Sequence, residues 1–223
     1  MILSSLFLTL EGIIMCTIPF KERVKNIAIE NAPLYEENFI KYEYLVCSEA
    51  FEQKYHIIKA DKGNYLHLIG IHTTLTPDDF FDKCVAVGEE QLTEDDFDFN
   101  KPGKSEKSVK GSVREKIVAL PNMVNLFNQK LLAEDNFKKN KVNCAFATTD
   151  NSLTLGFVSA GRPKSLLKGN ELDKSKQKEV DLIFRKLRSS DLPYNEIIYG
   201  NKQSISKYQS VIDGLVDIDF FHE

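Results

Sequence analysis

Three kinds of side chain in this chain suit cleavage of a phosphodiester without a metal: a histidine in an apolar setting, clustered cations and a hydroxyl. There are four histidines, His56, His67, His72 and His222. His67 lies within Tyr65-Leu66-His67-Leu68-Ile69-Gly70-Ile71, where a titratable ring is unexpected unless it is satisfied or used. Two readings stay open: a core histidine hydrogen-bonded to a carbonyl, and a ring that moves protons. His72, in an expected loop, and His56, in an expected strand, are weaker candidates. The second constellation is Gly161-Arg162-Pro163-Lys164-Ser165-Leu166-Leu167-Lys168. Glycine and proline breaks, three cations and a hydroxyl in eight residues suit a compact loop facing phosphate, because a turn presents N–H groups and Arg and Lys supply charge. The alternative is a solvated basic connection between strands. Arg185, Lys186 and Arg188 add cations at the end of an expected strand.

These parts fit RNA cleavage. The ribose 2′-hydroxyl attacks its own phosphate, a base removes the proton, an acid protonates the leaving oxygen, and cations or hydroxyls hold the charge of the phosphorane. RNA supplies the nucleophile, so this chemistry requires no catalytic cysteine, metal or cofactor. No phosphate-binding glycine loop, G-x-S-x-G elbow, H-E-x-x-H pair or dinucleotide fingerprint occurs in the chain, which weighs against the chemistries those motifs serve. Thr76-Pro77-Asp78-Asp79 and Thr93-Glu94-Asp95-Asp96 read as helix starts, with metal ligation as the alternative.

The charge distribution allows such a partner. The 223 residues carry 29 Lys+Arg and 33 Asp+Glu, net −4, and 42% are hydrophobic, which fits neither a disordered chain nor a membrane protein. Residues 1–100 hold 8 basic and 18 acidic side chains, whereas residues 101–212 hold 21 basic and 11 acidic, net +10. A basic stretch of that size can meet a phosphate backbone. A solvated lysine-rich face balanced by the acidic half is the alternative. Cys16, Cys47, Cys84 and Cys144 never form a C-x-x-C pair, which suits a reduced, cytoplasmic protein. The apolar run before Met15 makes a poor signal peptide, so residues 1–14 read as an upstream extension.

The elements that must position these groups read as α+β. Residues 19–40 suggest a helix broken near Pro33, and 77–87 a second one. Strands are expected at 42–47 and 55–60, with His67 in a strand or short helix. Residues 100–111 read as a basic linker that loops out, rich in lysine with a Pro-Gly pair. Ser112-Val113-Arg114-Glu115 then matches a capping box, opening a helix that breaks at Pro121 and carries Arg114 on its first turn. Strands at 144–148, 153–158, 179–185 and 195–199 complete the pattern: N-terminal helices followed by a four-stranded antiparallel sheet, in one domain over 15–212 with an acidic end at 213–223.

Four blocks in order resemble a known family: the His67 run, Phe80-Phe81-Asp82-Lys83-Cys84, Val113-Arg114-Glu115-Lys116-Ile117 with Leu120-Pro121, and Pro163-Lys164-Ser165-Leu166-Leu167. Over about residues 40–200 the chain resembles the fourth group of phage Barnase/EndoU/colicin/RelE-like (BECR) nucleases. The resemblance implies a BECR-type core and a metal-independent endoribonuclease of a prophage or similar mobile element. Its histidine block falls on His67, and its Pro-Lys-Ser-Leu-Leu block on Lys164 and Ser165, while Ile69 stands where a small hydroxyl residue is expected. On this reading His67 is base or acid, Lys164 and Arg162 stabilise the phosphorane, and Ser165 positions it. Arg114, Arg185, Lys186 and Lys168 are further phosphate contacts. RNA is the expected substrate and a protein inhibitor a second partner, with no membrane, cofactor or metal. A non-catalytic RNA- or DNA-binding module and a protein–protein module are the rival readings.

Overall fold

Every strand of the main sheet pairs antiparallel, and the strand order departs widely from chain order. The computed structural model describes residues 18–221; the extension at 1–14, Cys16 and His222 lie outside the described residues. Helix α1 (Phe20–Tyr35) runs through Pro33 and ends in a π turn, Glu36–Ile40, so the expected break appears after the proline as a widened turn. Strands β1 (Tyr42–Ser48) and β2 (Tyr55–Lys59) form a hairpin. The short helix α2 (Asn64–Ile69) carries His67. Helix α3 (Pro77–Val85) opens as its sequence predicts, with the Thr76 hydroxyl accepting from the Asp79 N–H at 3.1 Å.

Helix α4 (Glu106–Ala119) corrects the linker boundary. It starts at the Ser105 cap rather than at Ser112, because the apolar stripe of Val113 and Ile117 continues back to Val109. Half of the expected linker is therefore helical, and Arg114 sits in mid-helix. A 3₁₀ stretch, Leu120–Asn128, takes over at Pro121, as expected.

The rest is mainly strand: β3 (Leu132–Asp135), the two-residue pair β4 (Lys138–Lys139) and β5 (Val142–Asn143), β6 (Phe146–Thr149), β7 (Leu153–Phe157), β8 (Pro163–Lys168), β9 (Lys178–Leu187) and β10 (Glu196–Tyr199). Helix α5 (Lys202–Ile212) follows. The main sheet runs β2-β1-β9-β3-β6-β7-β8, with β10 also on β9. The fold is α+β, but the four-stranded sheet expected after N-terminal helices is overturned on two counts: the sheet has eight strands, and helices also follow it. β1 is buried on both faces, against the main helical core on one side and against Tyr208 and Ile212 of α5 on the other. It can therefore join β9, its partner across more than 130 residues, only inside a larger sheet.

The two ends of the strand order meet. The Lys59 N–H on β2 donates to the Gly161 carbonyl in the β7–β8 turn at 3.1 Å. Gly161 has φ +76°, and a Cβ there would lie 1.8 Å from the Ile57 carbonyl oxygen. No other residue type fits. This contact pins the cationic Arg162 turn beside β2, and β2 leads directly into α2. Among the described residues no helix is long and apolar enough to cross a membrane.

Candidate active site

Helix α2 turns three residues inward. Tyr65, Leu68 and Ile69 are fully buried, and the Tyr65 hydroxyl donates to the Ala28 carbonyl at 2.8 Å. At 3.6 residues per turn that leaves His67 on the outer side. Its ring is exposed and makes no hydrogen bond to a described residue, unlike a core histidine satisfied by a carbonyl. Partial burial first, and then the ammonium groups of Lys116 and Lys101, push its pKa below the ordinary histidine value. The imidazole is thus held neutral near pH 7, the form a general base needs.

Lys116 is the residue that the sequence reading left without a role. Its Nζ donates to the His67 main-chain carbonyl at 2.5 Å. Burial, then Lys101 and Lys104, push its pKa down to about 8. Gly70 makes this approach possible: it ends α2 at φ +81°, and a Cβ there would lie 2.9 Å from Lys116 Cδ. The signal in the sequence is slight: Lys116 borders the apolar stripe of α4. Lys101, Lys104 and Lys116 line with His67 a concavity of about 430 Å³. His72 lies on its wall, its Nδ1 3.2 Å from Asp98 Oδ1.

Of the cationic segment, only the turn before Pro163 is irregular. Residues 163–168 form β8, which corrects the phosphate-facing loop expected there. Proline is tolerated because β8 is an edge strand and the ladder shifts register between Gly156 and Phe157. Arg162 and Lys164 line a second concavity of about 500 Å³ together with His67 and Asn64. The Arg162 guanidinium makes no hydrogen bond or ion pair to a described residue, whereas Lys164 Nζ donates to the Asn143 carbonyl at 2.6 Å. Ser165 is buried opposite Gly156 in the β7–β8 ladder and lines neither concavity.

The other expected phosphate contacts divide. Lys168 faces α4, 3.7 Å from Glu115, in a third concavity that shares Ser112 and Lys116 with the one around His67. Arg114 lies two residues from Lys116, roughly 200° around the helix, with its guanidinium 5.1 Å from the Phe20 ring centre. Arg185 forks onto Glu196 at 2.8 and 2.5 Å over the Tyr42 ring, and Lys186 donates to the Leu192 carbonyl. None of these three lines the groove that contains His67.

A neutral imidazole, a lysine poised near its own pKa, an unpaired guanidinium and further lysines along one groove can accept a proton, donate one and hold a phosphate. The family model described as phage-Barnase-EndoU-ColicinE5/D-RelE like nuclease4 matches residues 28–203, which include every groove residue named above. Comparison with curated proteins and with solved structures returned no match.

Proposed function

Because the chain belongs to the phage-Barnase-EndoU-ColicinE5/D-RelE like nuclease 4 family, we propose that the groove between α2, α4 and β8 cleaves RNA without a metal. The observation that carries this reading is the exposed His67 ring, without a partner among the described residues, which shares one concavity with Lys116 and another with Arg162. His67 takes the proton from the 2′-hydroxyl. The O2′–P bond forms and the P–O5′ bond breaks, leaving a 2′,3′-cyclic phosphate, and Lys116 supplies the proton for the leaving 5′-oxygen. Arg162 holds the phosphorane charge, and Lys164 joins it on releasing Asn143. The phage in the family's description supports a prophage or other mobile element as the source; cytoplasmic RNA as the substrate and a protein inhibitor as a second partner are part of the same proposal.

The test is end-group analysis of RNA cut by the purified protein in EDTA, beside the same oligonucleotide with 2′-deoxyribose at the cut position. Cyclic phosphate ends from RNA and an intact deoxy-substituted strand support the reading. Equal cutting of both, or dependence on added metal, contradicts it. Salt-dependent binding without products would favour a non-catalytic RNA-binding module.

A further inference from the structure

The concavity around Arg162 shares His67 with the one around Lys116, and that one shares Lys116 and Ser112 with a third, about 260 Å³ in volume, beside Lys139 and Lys168. The three are joined in series through these shared side chains, and β8 lines the two outer ones. From Lys164 to Lys168 that strand advances about 13 Å, more than one phosphodiester needs. The walls alternate in chemistry. Cations occur along the whole length, while Val158 at one end, Leu66 and Pro102 in the middle, and Val142 and Leu167 at the other end leave apolar surface between them.

We infer that the groove is a track for a single RNA strand, engaging the phosphate to be cut through Arg162 at one end and further phosphates of the same strand through Lys139 and Lys168 at the other. This rests on the ribonuclease reading above and names its substrate class. A single strand offers both faces that such a wall can use, charged phosphates and the flat apolar faces of unpaired bases, whereas a duplex buries the bases. Lys139 lies 2.7 Å from Glu171, and Lys168 lies 3.7 Å from Glu115. Both lysines are half exposed and in reach of solvent, so an arriving phosphate exchanges for the carboxylate. The end of the track beside Lys139 and Lys168 is therefore weaker and more salt-sensitive than its centre.

The test uses the full chain and fluorescent 2′-O-methyl oligoribonucleotides, which lack the attacking hydroxyl and so report binding whether or not the protein cleaves. An octamer should bind at least tenfold tighter than a dinucleotide, and a duplex of the octamer should compete poorly. For the octamer, Lys139→Ala with Lys168→Ala should reduce the slope of log affinity against log salt by about 1.4, or 0.7 for each lost single-strand phosphate contact. Lys174→Ala with Lys176→Ala, outside the groove, controls for net charge and should leave the slope unchanged. Thermal melting checks that each variant is folded. Equal affinity for octamer and dinucleotide, an unchanged slope in the folded double variant, or equal competition by duplex would each overturn the track. Cleavage by His67 could still stand in those cases. Conversely, the expected slopes in a protein that never cleaves would leave the track in place and remove the catalytic reading.

Discussion

The Lys116 ammonium sits 2.5 Å from the main-chain carbonyl of His67, joining mid-helix α4 to the exposed turn of α2. The contact brings the Lys116 charge close to His67. Lys116 helps to keep His67 neutral, and burial brings Lys116 close to giving up its own proton. Each group is shifted toward the role proposed for it at neutral pH.

The rate should therefore follow a bell. It rises as His67 loses its proton, with a midpoint below the ordinary histidine value of about 6.5, because the folded pKa is lowered and the base form appears earlier. It falls through about pH 8 as Lys116 deprotonates. Single-turnover rates from pH 4.5 to 10 measure both limbs. Lys116→Met should lower the plateau by on the order of 10²–10³, the cost of removing one charged donor from a phosphoryl-transfer site, and should abolish the upper limb.

Gly70→Ala acts on the same pair from outside the chemistry. The new Cβ would lie 2.9 Å from Lys116 Cδ, a flexible side chain that can move away. The folded protein should lose roughly 1 kcal/mol, since φ is positive there, while Lys116 swings toward water. The upper limb of the pH profile should then move above 8, toward the ordinary lysine value. An unmoved limb would show that Gly70 does not control Lys116.

Gly161 and Gly169 share a positive φ, +76° and +74°, but differ in space. Nothing lies within 4 Å of a Cβ at Gly169, whereas one at Gly161 meets the β2 backbone. Gly169→Ala should cost roughly 1 kcal/mol and leave RNA binding alone. Gly161→Ala should cost at least roughly 3 kcal/mol and weaken binding, because the Arg162 turn loses its anchor on β2. Chemical denaturation and fluorescence binding separate the two.

Arg162 and Arg185 should behave as opposites. Arg185 is held by Glu196 and the Tyr42 ring, so Arg185→Ala should lower stability by roughly 1–2 kcal/mol with little change in RNA affinity. Arg162 has no ion-pair partner among the described residues. Arg162→Ala should leave melting nearly unchanged and reduce cleavage and the salt slope of binding.

The legible parts of the fold were those with local signals. Thr76-Pro77 marked a helix start and Pro121 a helix end, and the strands expected at 144–148 and 153–158 do form a hairpin, in which the Asp150 carboxylate accepts from the Ser152 and Leu153 N–H groups. The pairing of β1 with β9 joins residues far apart in the chain and has no local mark. β8 was hidden by its own proline and polar residues, which an edge strand with a register shift tolerates. At the site, His67, Arg162 and Lys164 were readable by type, and the structure brings them to one concavity. The burial of Ser165 was not readable, because strand alternation, invisible while the segment reads as a loop, turns it to the covered face of β8. Lys116 was passed over because a lysine in a helical repeat looks solvated until α2 is seen against it.

The most direct test compares single-turnover cleavage of one RNA by the wild-type protein and by His67→Ala, in EDTA, at the pH of maximal rate. The account predicts a loss of at least about 10², the usual contribution of a positioned general base, with octamer binding retained within a few-fold. A folded His67→Ala protein that cuts at the wild-type rate would contradict it.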